Sequence, residues 1–183
     1  GVNAGTIAVT VDGIAVSTVT KTAIDGGYKC TCTSPTLKDG SHTISVKASD
    51  NDGNAAAAKT ATFTVDTVPP TLQITAPSND LITNKKTVTV SGKTDDVSSK
   101  PVTVTVNGAT VTVGTDGTFT KDVTLAEGAN TITIVAKDKA GKTTTVTRKV
   151  TVDTSAPVIK SVTLTPNPVD CGKTFIIAVE ITD

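Results

Sequence analysis

Few side chains in this 183-residue chain are of a kind that makes or breaks bonds, and their spacing argues against catalysis. His42 is the only histidine. It lies in the run Lys38-Asp39-Gly40-Ser41-His42-Thr43, and Ala126-Glu127-Gly128-Ala129-Asn130-Thr131 repeats that context with asparagine in its place. A turn-to-strand role suits both residues, whereas a general base suits only the histidine. No nucleophile elbow, P-loop or zinc-ligand spacing occurs. Cys30 and Cys32 stand two apart, so on a strand they share a face and are poorly placed to bond each other. With Cys171 the count is odd, which raises pairing between chains.

The acidic loops are the remaining candidates. Asp50-Asn51-Asp52-Gly53-Asn54 clusters oxygen ligands on a tight turn, the chemistry a hard cation such as Ca²⁺ prefers. It lacks the downstream bidentate glutamate of the helix-loop-helix calcium motif, and aspartates also build turns without any metal. The equivalent Asp138-Lys139-Ala140-Gly141 has lost most of those ligands. Asp95, Asp96, Asp66 and Asp153 are candidates for an interdomain site; the simpler reading of Asp66 and Asp153 is that each ends a strand and opens a Pro-stiffened linker. No organic cofactor is expected.

Composition sets the class. Basic and acidic side chains balance at 17 each, so no basic stripe points to nucleic acid and no polybasic run to an anionic membrane. No apolar run is long enough to span a bilayer, and no signal-peptide pattern opens the chain. Roughly a fifth of the residues are threonine and valine is abundant, both β-branched strand formers. There is no Trp or Met, so the core must be built from Val, Ile, Leu and Ala. A Thr-, Gly- and Asp-rich β protein of this kind points to an extracellular or bacterial cell-surface setting. Sugar binding would want exposed aromatic platforms; Tyr28, Phe63, Phe119 and Phe175 all sit in alternating runs and read as core.

Alternation of apolar and polar residues predicts strands near 71–76, 86–93, 101–107, 109–113, 118–125, 130–138 and 143–152. Val102, Val104 and Val106 share a face and lead into Asn107-Gly108, a strong two-residue hairpin signal. Ile132, Ile134 and Ala136 make the next inward row, and Val146, Val150 and Val152 the last. Asp66-Thr67-Val68-Pro69-Pro70 returns 87 residues later as Asp153-Thr154-Ser155-Ala156-Pro157, a period fit for a small β domain. Residues 1–68 repeat the later features of the middle unit, from Val11-Asp12-Gly13 onward, and residues 157–183 align with 70–96.

On the runs 39–70 and 102–157 the chain resembles bacterial immunoglobulin-like domains in tandem arrays. The middle unit is also similar to the immunoglobulin-like B module found beside glucodextranase-type catalytic domains. The resemblance implies an all-β fold of tandem immunoglobulin-like Greek-key β-sandwiches: 1–68 without its first two strands, 69–155 complete, and 156–183 the first two strands of a third. The buried Trp and paired core cysteines of antibody domains are absent.

Two expectations follow for the ends. The simpler one is a window on a longer array. The sharper one is donor-strand complementation, in which 157–183 of one copy fills the gap in 1–68 of the next, head to tail. In an immunoglobulin-like sheet the strand after Cys171 would run antiparallel to the one carrying Cys32, so Cys171 could bond Cys30 or Cys32 of a neighbour; the alternative is three free thiols. The expected function is a non-enzymatic stalk, adhesin repeat or filament unit whose partners are neighbouring repeats or copies and a surface receptor. An accessory module of a secreted glycoside hydrolase, or a decoration on a phage particle, are the alternatives.

Overall fold

The computed structural model describes every residue except 166 and 169. No α-helix occurs among the described residues, and none of their helices is long and apolar enough to cross a membrane. Residues 1–65 contain β1 (Ala8–Val11), β2 (Ile14–Ala15), β3 (Val19–Ile24), β4 (Gly27–Cys32), β5 (Gly40–Lys47) and β6 (Lys59–Val65). The middle stretch contains β7 (Thr71–Ala76), β8 (Leu81–Thr83), β9 (Thr87–Asp95), β10 (Thr103–Val106), β11 (Ala109–Val111), β12 (Thr118–Thr124), β13 (Gly128–Lys137) and β14 (Thr143–Val152). A final hairpin pairs β15 (Val158–Thr165) with β16 (Ile176–Thr182).

The middle unit is a sandwich of a five-stranded sheet, β11-β10-β13-β14-β8, on a three-stranded sheet, β12-β9-β7. Its core follows from the period of two. Val104 and Val106, Ile132, Ile134 and Ala136, and Val150 and Val152 all face inward and are almost fully buried; Val146 is half-buried. Val88, Val90 and Phe119 meet them from the other sheet. Each such aliphatic side chain contributes about 1.5–3 kcal/mol by leaving water. The seven strands read from alternation are all present. An eighth, β8, was not anticipated: it leaves the β7 sheet and runs parallel to β14, with Leu81 opposite Val150.

The first unit has one four-stranded sheet, β2-β1-β5-β6, and a separate β3–β4 hairpin. Here β3 is an addition, since β4, which carries Tyr28 in the place of Phe119, pairs with it rather than with a β9-like strand. Val9 and Val11 are its only buried apolar side chains among the described residues. The expectation of four core aromatics is therefore corrected. Phe119 is 3% exposed, but Tyr28 is 38% and Phe175 49% exposed, because no second sheet covers either.

Both anticipated hairpin turns form. Asn107-Gly108 and Asp12-Gly13 take left-handed backbone angles at both positions, as a tight turn matched to strand twist requires. Each turn's side-chain oxygen accepts a bond from a Thr amide of the adjoining strand, Thr133 and Thr43 respectively, both at 2.8 Å. The registers differ by two residues, which preserves the inward face. One consequence is local: Asp12 comes to lie beside His42, while Asn107 comes to lie beside Thr133, three residues beyond Asn130.

Candidate functional site

His42 illustrates how the repeat spends its polar side chains. Its Nε2 donates to the Lys38 carbonyl at 2.8 Å, as the Asn130 amide donates to the Ala126 carbonyl, also at 2.8 Å. Its Nδ1 lies 2.6 Å from Asp12 Oδ2. With acceptors on both ring nitrogens the imidazolium is favoured, and the Asp12 bond raises the His42 pKa above its ordinary 6.5. The same bond lowers that of Asp12. Both ring nitrogens are thus engaged within the module, by Asp12 and by the Lys38 carbonyl.

The sign of the linkage is fixed by these directions. A raised histidine pKa adds stability that is complete below about pH 6.5 and fades as pH climbs through the folded-state value. The thermal midpoint of the first unit should therefore fall between pH 5.5 and 8.5, and His42→Asn should abolish that fall while keeping the bond to Lys38. A fall of unchanged size in the variant would exclude the ion pair as its source.

The acidic loops divide differently from their composition. In 50–54 the Asp50 carboxylate is closed by its own loop. Oδ1 accepts from the amides of Asp52 and Asn54, and Oδ2 from the Asn54 side chain at 2.9 Å. These bonds, the Asn54 side chain first, hold the Asp50 carboxyl below the usual range. At 138–142 the backbone repeats the loop: Asp138 Oδ1 accepts from the Lys142 amide at 2.8 Å, matching Asp50 and Asn54. Lysine, however, stands where Asn54 stood, and no side chain closes Oδ2. That oxygen is buried and has no hydrogen-bond partner.

Asp138 is one of three buried aspartates brought together where the first and middle units meet. Asp66 follows β6, Asp96 follows β9 and Asp138 follows β13. They are 8%, 5% and 5% exposed, and one carboxylate oxygen from each lies within 4.8 Å of the others. Asp66 repeats the arrangement of Asp138: Oδ1 accepts from the Val68 amide at 3.1 Å, and Oδ2 is buried without a partner. Asp96 Oδ1 accepts from the amides of Ser98 and Ser99. Ser99 in turn takes the Ala140 amide on its hydroxyl at 2.8 Å, tying the Asp96 loop to the Asp138 turn. Two unit charges at about 4 Å repel by roughly 4 kcal/mol in a protein-like medium, so three ionised carboxylates here oppose docking of the units.

Around the cluster the hinge is locked by a repeated clamp. Asp39 accepts from the Thr67 amide and hydroxyl at 3.1 and 2.8 Å. Glu127 does the same for Thr154, at 2.7 Å for both bonds, and these bonds hold its carboxyl below the usual range. Thr144 of the middle unit donates to the Pro70 carbonyl, which fixes the far side of the linker. Of the residues nominated from sequence, Asp66 and Asp96 enter the cluster. Asp50 and Asp153 do not, and Asp95 pairs with Lys100 at 2.8 Å instead. Asp138 was passed over because its loop is poor in oxygen ligands. The signal that would have found it is the exchange of Asn54 for Lys142.

Cys30, Cys32 and Cys171 are all free. Cys30 faces Lys21 across the β3–β4 hairpin, and Cys32 lines an apolar cavity of about 250 Å³ with Val9, Val11, Val16, Ile44 and Phe63. Cys171 is exposed in the turn before β16.

The repeated clamp, the paired hairpin turns and the shared sandwich strands describe one module used more than once. Residues 1–67 match the bacterial Ig-like domain family, and residues 70–154 match domain B of glucodextranase. The chain is a tandem of bacterial immunoglobulin-like modules. Such modules are typical of extracellular proteins. Over 140 residues this tandem is 32% identical to bacillopeptidase F of Bacillus subtilis (strain 168), a match covering 76% of this chain and 9% of that protein. The tandem thus spans less than a tenth of the curated relative it matches. Among solved structures it is similar to the fibronectin(III)-like modules of Clostridium thermocellum CbhA, at 18% identity, with TM-score 0.45 and coverage of 84% of this chain and 82% of that one. It is also similar to a tetra-tandem repeat in the extending region of a large adhesion protein, at 22% identity, with TM-score 0.41 and coverage of 95% and 54%.

Proposed function

We propose that this tandem is a non-catalytic extracellular spacer, a stalk or adhesin-type repeat that holds other parts of its protein at a distance. The observation that carries the reading is the hinge, where the same acid–threonine clamp closes the exit of both modules, Asp39 on Thr67 and Glu127 on Thr154. A clamp repeated at each exit serves serial connection. No nucleophile–base pair accompanies it among the described residues.

A second reading, head-to-tail pairing of copies, is favoured by two apolar surfaces. One is the Cys32-lined cavity of the first module. The other is the row Val162, Leu164, Ile177, Val179 and Ile181 on the β15–β16 hairpin, every member at least 45% exposed. Strand donation would place this row in that cavity and bring Cys171 to Cys30 or Cys32 of a neighbour.

Small-angle scattering with light scattering, with and without a thiol reductant, tests both. The spacer reading expects a radius of gyration clearly above the roughly 16 Å of a compact globule of this length. A compact particle would overturn it. The second reading expects oligomers, their chains disulfide-linked without the reductant and held by strand donation alone with it, and a monomer of 18.5 kDa in both conditions would end it.

A further inference from the structure

We propose that the β15–β16 hairpin of a second copy completes the first module in one fixed register, with β16 laid along the open edge of β4 and Phe175 seated in the Cys32-lined cavity. The contact presupposes the head-to-tail pairing described above, though not its disulfide. It rebuilds a sheet that the middle module already has, where β12, β9 and β7 stand side by side. β4 is the counterpart of β12, and β16 and β15 are the counterparts of β9 and β7, 87 residues on. β4 and β16 each pair on one side only, with β3 and with β15. The open edge of β4 is the one that β9 would need. Ile24 and Gly27 close the two-residue Asp25-Gly26 turn, and such a closing pair exchanges its backbone hydrogen bonds. Bonding alternates along an antiparallel pair, so Gly27, Lys29 and Thr31 bond β3, while Tyr28, Cys30 and Cys32 turn their amides and carbonyls to the open edge. In the middle module the same alternate positions serve β9. The Gly117 carbonyl accepts from the Thr94 amide at 2.9 Å, and the Leu125 amide donates to the Lys86 carbonyl at 2.7 Å, at the two ends of the row Phe119, Lys121 and Val123.

The β9–β12 ladder fixes the register. Phe119 opposite Gly92 and Val123 opposite Val88 become Tyr28 opposite Val179 and Cys32 opposite Phe175, and Lys121 opposite Val90 becomes Cys30 opposite Ile177. The volumes compensate. Phe175 stands for Val88 where Cys32 stands for Val123, a larger side chain facing a smaller one, which conserves the volume of the pair. Val9, Val11 and Ile44 of the cavity stand where Val104, Val106 and Ile132 share the closed core with Val88. Val179 takes the place of Gly92, and Tyr28, 38% exposed, has room to turn off it. Phe175, Ile177, Val179 and Ile181, the inward row of the donated strand, are each about half exposed in the single chain and lose that exposure together. On the other face Lys29 falls opposite Ala178 and diagonal to Glu180, a neighbour of opposite charge.

Disulfide trapping between two chains tests the register. In a background of Cys30→Ser, Cys32→Ser and Cys171→Ser, one chain carries Thr31→Cys and the other Ile176→Cys. In this register those positions face each other without backbone bonds, with Cα atoms about 4.5 Å apart, within reach of a disulfide. Mixed and oxidised, the two chains should give a covalent heterodimer, at least about tenfold more of it than Lys29→Cys gives with Ile176→Cys, two residues out of register. A second measurement reads the anchor. Phe175→Ala should weaken self-association of the chain at least about a hundredfold by sedimentation, and Phe175→Leu far less. Because Phe175 is 49% exposed in the single chain, neither variant should move the melting midpoint of the middle module, which separates a lost contact from misfolding. Oligomers that trap both positions equally would overturn the register, and oligomers indifferent to Phe175→Ala would overturn the anchor; head-to-tail pairing would survive either result. A double variant, Thr31→Cys with Ile176→Cys, that closes within one chain would assign the hairpin to its own first module and overturn the contact between copies. Monomers throughout would end the contact and the head-to-tail pairing together.

Discussion

Ile134→Ala is expected to lower the stability of the middle module by about 3–4 kcal/mol. The side chain is fully buried at the centre of β13, between β10 and β14, with Val106 and Val146 as its partners in register. Truncation removes three carbons from water-free packing and leaves a cavity. The strands flanking it are tied to β13 by ladders on both sides and cannot close in. In a module of this size each kcal/mol moves the melting midpoint by about 4–8 °C, so a fall of roughly 20 °C is expected by circular dichroism. Ile44→Ala on β5 is the internal comparison. Ile44 is only half-buried, so it should cost much less. Equal effects at the two positions would contradict the picture of one closed and one open core.

Gly92→Ala is expected to cost about 2–3 kcal/mol, although it adds a single methyl group. Gly92 lies at the middle of β9, directly opposite Phe119 on β12 and Ile74 on β7. A Cβ there would stand 2.5 Å from the Gln73 carbonyl oxygen and 2.8 Å from Phe119 Cζ. The ring can rotate away; the carbonyl cannot, because it belongs to the strand beside it. The β7 edge would have to shift, at the bulge already present between Ile74 and Ala76. Adding Phe119→Leu should therefore fail to restore the melting midpoint. Full restoration by that second change would show that the ring, and not the strand spacing, sets the limit.

These two sites show what kind of information alternation carries. Ile134 is legible because its neighbours at two-residue intervals are apolar, and burial follows from that period. Gly92 is not, because a glycine in a strand declares a close approach only once its partner strand is known. The same limit hid β8. Leu81, Ile82 and Thr83 are too short for a period, and they become a strand only by pairing with β14, far along the chain. Tyr28 and Phe175 were misjudged for the complementary reason, since alternation marks a face without saying whether a second sheet covers it. The carboxylate cluster was half legible. Asp66 and Asp96 stood out as hinge and loop acids. Asp138 was obscured because ligand-rich loops attract attention, yet the 50–54 loop uses its oxygens to close itself, and the poorer loop leaves one free.

The parallel pairing of β8 with β14 has a consequence under tension. A pull along the array enters the middle module at Pro70 and leaves it after Val152, so β8 is drawn toward one end while β14 is drawn toward the other. Strands that point the same way and are pulled oppositely must slide past each other. The bonds between Leu81–Thr83 and Val150–Val152 then carry the load together rather than parting one at a time. The pair acts as a shear fastener across the module: β7 stands between it and Pro70 and must first part from β9, after which the remaining antiparallel strands are shielded until it yields.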